Sequence, residues 1–282
     1  MTQRSPLGSE VVLCAMSMVP IGFRDLADAA ASAGFDAITV VGSVYHRGRT
    51  RDGLSDADMR ALLADRGLVV TDVESAGCWL SAPDTAPERW RPRSSDEEMI
   101  RVAEALGART LVATHFGSPT TAEEAAGAFG RLCDMAAGAG LQVSLEFPAM
   151  ATIRDVATAW EVVRLADRPN GGILVDVWHH RRSTNDDAAL AAVPAERITS
   201  IQLADGAVDP VGSLEEDVLV RGLPGEGDFG MVELVRSLAR AGVSAPVGIE
   251  TWDEELLRQG PTAAAARLAE SLRSVLSAAT AA

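Results

Sequence analysis

The sequence contains no lysine, and all of its basic side chains are arginines. This absence excludes a lysine Schiff base, and with it lysine-dependent aldol chemistry and a PLP internal aldimine. It also excludes phosphoryl transfer that depends on a P-loop lysine. Arginine keeps its charge and binds carboxylates or phosphates through a planar fork, so the chain can still recognise anionic groups.

Cysteine is also scarce. Cys14, Cys78 and Cys133 have neither CxxC nor zinc-ribbon spacing, which is typical of reduced core thiols in a cytoplasmic protein. The N-terminus is short and polar, and no apolar run approaches the roughly 18 residues of a spanning helix. The formal net charge of −15 disfavours nucleic acid and anionic membranes as partners. We therefore expect a cytoplasmic protein that acts on a small-molecule substrate. The composition is also compatible with a homo-oligomer.

Short apolar segments rich in Val, Ile and Leu alternate with helical segments along the whole chain, and glycine follows several of the helices. The predicted strands are 11–18, 37–41, 68–74, 110–116, 142–147, 172–177, 198–203 and 246–251, and the predicted helices are 22–33, 55–66, 95–106, 121–137, 153–165, 186–193, 231–240 and 262–279. Eight such pairs predict an α/β protein with a (β/α)8 TIM barrel, as a single domain over residues 1–282. The alternative is an open Rossmann-like sheet, but no strand-to-helix junction carries GxGxxG.

Two predicted connections, 75–94 and 205–228, are long for a compact domain. Both follow a strand and precede a helix, which places them on the face where a barrel binds its substrate. We interpret them as lids or walls of the active site, because loops of this length are usually functional.

Four consecutive predicted strands, the fifth to the eighth, carry polar residues at or near their C-terminal ends: Glu146, Asp176, Gln202 and Glu250. The C-terminal ends of barrel strands meet at one mouth, so these side chains can converge. Three gathered carboxylates would raise one another's pKa unless a cation compensated them. A divalent metal ion resolves this, and the oxygen ligands favour Mg²⁺ or Mn²⁺ over zinc.

Taken singly, each residue of this set has an ordinary interpretation. A carboxylate at a strand end commonly caps a helix or pairs in a loop, and Gln202 alone is more typical of a structural hydrogen bond. Glu146 and Glu250, however, stand in otherwise apolar runs, where an unpaired carboxylate is costly. The set therefore predicts a metal site. His179, three residues after Asp176, is interpreted as a contact to a substrate oxygen or as a further ligand, and His180 as structural.

Several other side chains follow predicted strands and are weaker pocket candidates. His115 and Glu74 end the fourth and third strands, and aromatic residues in or beside the strand-end loops can wall an apolar pocket or simply pack. These are Trp79, Trp178 and Trp252. His46 precedes a run of arginines at 47, 49 and 51. We interpret this run as a solvated face rather than an anion site.

These motifs resemble the xylose-isomerase-like barrel superfamily of sugar phosphate isomerases and epimerases. The resemblance covers essentially the whole chain and is carried by Leu-Glu146-Phe, Asp176-Val-Trp-His179, Ile-Gln202-Leu-Ala-Asp205, Arg221-Gly-Leu-Pro-Gly-Glu-Gly-Asp228 and Ile-Glu250-Thr-Trp252. It implies that Glu146, Asp176, Gln202 and Glu250 bind one divalent metal, that the two glutamates act as acid and base, and that His179 and Arg221 contact the substrate. Many epimerases have histidine at the position of Gln202, whereas glutamine is similar to the hydroxypyruvate isomerase and inosose dehydratase branches.

The proposed set suits one chemistry in particular. A metal that holds vicinal oxygens of a hydroxy-ketone stabilises an enediolate, and two glutamates on opposite sides can move the proton. We expect an isomerase or epimerase of a sugar or sugar-like hydroxy-ketone. The same geometry can expel a β-hydroxyl, so a dehydratase of a cyclic polyol ketone is an alternative, as is a metal-binding barrel with an accessory biosynthetic role. The superfamily also contains endonuclease IV, a three-zinc nuclease, but four histidines and a strongly negative charge disfavour that function.

Overall fold

The protein forms a closed barrel of eight parallel strands that follow one another around the barrel in chain order. A computed structural model describes residue 7 and residues 10–81 and 85–281. The strands are β1 (Val11–Leu13), β2 (Ala37–Val41), β3 (Val69–Ala76), β4 (Thr110–Ala113), β5 (Gln142–Glu146), β6 (Gly171–Asp176), β7 (Ile198–Leu203) and β8 (Val247–Ile249). The TIM-barrel prediction is confirmed, and the sheet is not an open one.

Helices surround this barrel. In the described residues they are α1 (Phe23–Ser32), α2 (Gly42–Thr50), α3 (Asp56–Asp65), α4 (Asp96–Leu106), α5 (Ala122–Ala137), α6 (Val156–Ala166), α7 (Val177–Arg182), α8 (Asp187–Ala191), α9 (Leu214–Asp217), α10 (Met231–Arg240), α11 (Glu254–Arg258) and α12 (Pro261–Thr280). Local sequence explains several starts: Ser55 and Thr121 each form a capping box, with Asp58 and Glu124 respectively. None of the described helices is both long and apolar enough to cross a membrane.

Some predicted boundaries were wrong. The first strand ends at Leu13 instead of residue 18, because Ala15–Met18 turns into a 3-10 helix. The segment around His46, for which no helix was predicted, is helix α2. This helix packs closely against its neighbours: a Cβ at Gly48 would lie 2.9 Å from Phe23 and closer still to Met59. Tertiary packing therefore stabilises a helix that the local sequence pattern does not predict.

Both long connections contain short helical turns and line the mouth of the barrel. Residues Glu88–Trp90 form a 3-10 helix in the first, and α9 and the 3-10 helix Val218–Val220 lie in the second. Residues from each contact the same cavity. Residues 82–84 of the first connection lie outside the described residues.

Candidate active site

A cavity of about 760 Å³ opens at the C-terminal ends of the strands. Its lining includes the strand-end carboxylates Glu74, Glu146 and Glu250 together with His179 and Arg221. Asp176 and Gln202 are buried beside them and pair in register across β6 and β7. Parallel strands thus bring together all four residues of the predicted ligand set, although more than 100 residues of chain separate Glu146 from Glu250.

Arg221 lies at the centre of this group. Its Nη1 donates to Asp176 Oδ2 across 2.8 Å and to Glu250 Oε1 across 3.3 Å, and its Nη2 lies 2.8 Å from His179 Nε2. The guanidinium carbon stands 4.8 Å from the centre of the Trp178 ring. This stacking and the fork of hydrogen bonds fix the guanidinium in one orientation.

Asp205 holds the loop that carries Arg221. Its carboxylate accepts from the backbone N–H groups of Gly206, Gly225 and Phe229. Gly227 passes so close that a Cβ there would lie 2.5 Å from Asp205 Oδ1. The Asp205 and glycine-rich motifs therefore shape the backbone that presents Arg221.

Asp176 has two roles that follow from its position at a strand-to-helix junction. It ends β6, and its Oδ1 accepts the backbone N–H of His179 at 2.9 Å, which caps α7. Its other oxygen accepts from Arg221. The cap turns His179 into the site, where its Nδ1 accepts from the Ala149 N–H at 3.2 Å and its Nε2 lies 3.7 Å from Glu146 Oε1.

The carboxylates of this site crowd each other in a dry environment. Burial raises the pKa of Glu146 well above its usual range, and the charges of Glu250 and Asp176 raise it further. Burial and the nearby Glu250 and Glu146 do the same to the pKa of Glu74. Burial raises the pKa of Glu250 to about 7, although Arg221 opposes this rise. Arg221 supplies one positive charge to four carboxylates, so a further cation would be favourable here.

His179 does not supply that charge. Burial lowers its pKa to about 3, so the ring is neutral at physiological pH. A neutral imidazole has a single lone pair for a metal ion or a hydrogen-bond donor, and the N–H groups of Ala149 and Arg221 compete for it here.

The residues present fit a divalent metal ion. Gln202 Nε2 donates to Glu74 Oε1 across 3.3 Å, while its Oε1 is buried without a partner among the described residues. A buried amide oxygen without a donor is costly unless something binds it. Potential ligand atoms of Glu146, Asp176 and His179 also lie within 4.8 Å of one another. Among the described acidic, histidine and cysteine residues, this group thus includes His179 and does not include Glu250.

Of the weaker pocket candidates, some line the cavity and others pack behind it. His115 and Trp252 line the cavity, whereas Trp79 packs behind His115 at 5.9 Å between ring centres and donates from Nε1 to the Thr114 carbonyl. Burial lowers the pKa of His115, so this ring is also neutral. His180 is buried and hydrogen-bonds Asp187.

Two features of the site leave only a weak signal in the sequence. Glu74 was only a weak pocket candidate, yet it is the partner of Gln202. Arginines from α2 and from the connection before α4 also line the cavity. The arginine run after β2 was the available signal, but a run of charges does not reveal which way it faces.

A sequence model of the xylose isomerase-like TIM barrel matches residues 27–275. The chain belongs to that family. Among characterised relatives, it is 29% identical over 259 residues to a 3-dehydroshikimate dehydratase of Pseudomonas aeruginosa, covering 88% of this chain and 38% of that protein. It is also 26% identical over 126 residues to an inosose isomerase of Halalkalibacterium halodurans, which covers 44% of each chain. The matched regions therefore cover less than half the length of each of these relatives.

Solved structures agree on the fold. The crystal structure of the IolI protein with a bound zinc atom superposes with a TM-score of 0.83 at 18% identity, covering 95% of this chain and 98% of that one. The superposition establishes a common architecture, and at 18% identity it establishes no more than that. The relatives themselves include a dehydratase and an isomerase, so the comparisons do not choose between these reactions.

Proposed function

We propose that this family member is a divalent-metal-dependent isomerase or epimerase of a hydroxy-ketone, a sugar or a sugar-like compound. The observation that supports this most directly is the pair Glu146 and Glu250. Both carboxylates line the cavity beside Asp176 and Arg221, and burial raises the pKa of Glu146 well above its usual range and that of Glu250 to about 7. Groups with a pKa near the working pH are suited to both removing and returning a proton.

The metal would be held by Glu146, Asp176, Gln202 and Glu250, with His179 beside them as a substrate contact or a further ligand. When bound, the ion supplies Lewis-acid polarisation of the substrate carbonyl. Oxygen ligands favour Mn²⁺ or Mg²⁺. The zinc in the IolI structure makes zinc the third ion to test.

The remaining residues position the substrate. One glutamate removes the proton beside the carbonyl, and the other returns a proton to the neighbouring carbon or to the opposite face. Arg221 donates hydrogen bonds to substrate oxygens, and His179 contacts a substrate oxygen beside it. His115 and Trp252 wall the pocket, and Trp79 holds the His115 ring from behind.

A dehydratase is the second candidate, and the 29% identity to the 3-dehydroshikimate dehydratase favours it. The same first proton removal, next to a carbonyl, labilises a hydroxyl on the β-carbon. The hydroxyl leaves as water after it receives a proton from the second glutamate, and a C=C bond forms. The two reactions thus share a base and differ in what the second glutamate protonates.

The two outcomes are separable in one experiment. Metal-stripped protein reloaded with Mn²⁺, Mg²⁺ or Zn²⁺ is incubated in D₂O with ketoses, inososes and 3-dehydroshikimate, and products are followed by NMR. An isomerase or epimerase incorporates solvent deuterium at a retained carbon, whereas a dehydratase produces an alkene and water. We expect chelation, Glu146→Gln and Glu250→Gln to abolish turnover, and Glu233→Gln, an exposed carboxylate on α10, to leave it unchanged. Full turnover in excess chelator would refute the proposal.

A further inference from the structure

One wall of the cavity is rich in arginine although the chain as a whole carries a net charge of −15. Arg47 comes from α2, and Arg89, Arg91 and Arg93 come from the connection between β3 and α4. In a ring of eight strands, β2 and β3 lie across from β6 and β7. The arginine wall therefore stands across the mouth from Asp176 and Gln202.

Two of these arginines already have partners. Arg89 pairs with Glu215 at 2.8 Å, and Arg91 donates to the Ala86 carbonyl at 3.4 Å. Within the described part of the chain, the side chains of Arg47 and Arg93 have neither a hydrogen bond nor an ion pair. Nη1 of Arg47 is buried, which makes its missing acceptor costly. Arg47 therefore lacks an acceptor for a buried donor, and the exposed guanidinium of Arg93 on the same wall is free to bind an anion.

The same wall limits how much negative charge such an anion can carry. Glu98 also lines the cavity, in the first turn of α4 beside Asp96 and Glu97. These carboxylates repel a phosphate dianion more strongly than a singly charged group. A carboxylate matches the planar fork of arginine and carries a single charge.

We propose that Arg47 and Arg93 form a subsite for a carboxylate of the substrate. This inference rests on the proposed function, because it places the hydroxy-ketone end of the same molecule over Glu146 and Glu250. A cavity of about 760 Å³ has room for a cyclic substrate that spans the mouth. The substrate class is then a carboxylated cyclic hydroxy-ketone rather than a neutral sugar.

The test uses ligands that cannot turn over. Isothermal titration calorimetry of the Mn²⁺-loaded protein compares shikimate, a carboxylated cyclic triol, with neutral myo-inositol and with inositol 1-phosphate. We expect shikimate to bind the most tightly. We expect Arg47→Gln and Arg93→Gln each to weaken shikimate binding about tenfold without changing the affinity for myo-inositol. The control Arg240→Gln removes an exposed arginine at the end of α10 and should change neither affinity.

The proposal is overturned if wild-type protein does not bind shikimate, or if both variants bind it as wild type does. Equal losses for shikimate and myo-inositol would also overturn it, since they would reflect a deformed pocket. If inositol 1-phosphate binds more tightly than shikimate, and the variants lose that binding, the carboxylate proposal is overturned and the two arginines bind a phosphate. None of these ligands reacts, so the binding test does not depend on turnover. If shikimate binding depends on the two arginines but no hydroxy-ketone is turned over, the proposed function is refuted and the carboxylate subsite is retained.

Discussion

The amide of Gln202 donates to the carboxyl of Glu74 from the opposite side of the barrel, across 3.3 Å. Because the Gln202 Nε2 faces Glu74, the amide Oε1 faces away from it. This buried oxygen is therefore available to a cation. Glu74→Gln keeps an acceptor for Gln202, whereas Glu74→Leu removes it. We expect Glu74→Leu to weaken Mn²⁺ binding about tenfold, measured by calorimetry, and Glu74→Gln to change it far less. Wild-type affinity in Glu74→Leu would show that this contact does not orient the ligand.

The proposed metal ligands make a second prediction. Glu146→Gln and Asp176→Asn should each weaken Mn²⁺ binding by at least about 100-fold, because even partners outside the ligand shell contribute 10–100-fold. Electron paramagnetic resonance reports free Mn²⁺ directly. The matched control is Glu233→Gln, whose side chain is 75% exposed on α10. Undiminished binding in both site variants would place the metal elsewhere.

Arg221 compensates the carboxylates when no metal is bound. In metal-free protein, Arg221→Met should lower the free energy of unfolding by about 3 kcal/mol, because it leaves Asp176 buried without its ion pair. Mn²⁺ should restore more stability to this variant than it adds to wild type, since the ion neutralises the same carboxylates. Urea unfolding with and without Mn²⁺ measures both effects, and an unchanged midpoint in metal-free protein would contradict the prediction.

Asp72 predicts a pH dependence of stability. It is 2% exposed in the barrel, and burial raises its pKa to about 6. Between about pH 4 and pH 6 the folded state therefore holds a proton that the unfolded state releases, so this residue's contribution to stability falls as pH rises through that window.

The change that tests this is Asp72→Asn, which cannot ionise and can still accept from Ser200. At pH 7.5 it should raise the free energy of unfolding by about 3 kcal/mol, and at pH 4 the difference from wild type should nearly vanish. Urea unfolding at the two pH values gives the comparison. A variant less stable than wild type at pH 7.5 would show that the Asp72 charge is stabilising.

Much of the fold is predictable because its determinants are local. Buried parallel strands read as continuous apolar runs, and caps such as Ser55 and Thr121 mark helix starts within a few residues. Helix α2 was not predictable in this way, since its stability comes from close packing at Gly48 against α1 and α3. The same limit applies to the early end of β1 at Leu13, after which the chain turns into a 3-10 helix.

By itself, the sequence determined the barrel and the identity of the strand-end set Glu146, Asp176, Gln202 and Glu250, because a fold of known periodicity places strand ends together. The tertiary structure decided what surrounds them. It placed Arg221 between two of the carboxylates, Glu74 against Gln202, and Arg47 and Arg93 on the far wall. These relationships join residues from different loops, whose paths depend on packing across the barrel mouth and leave no periodic signal in the chain.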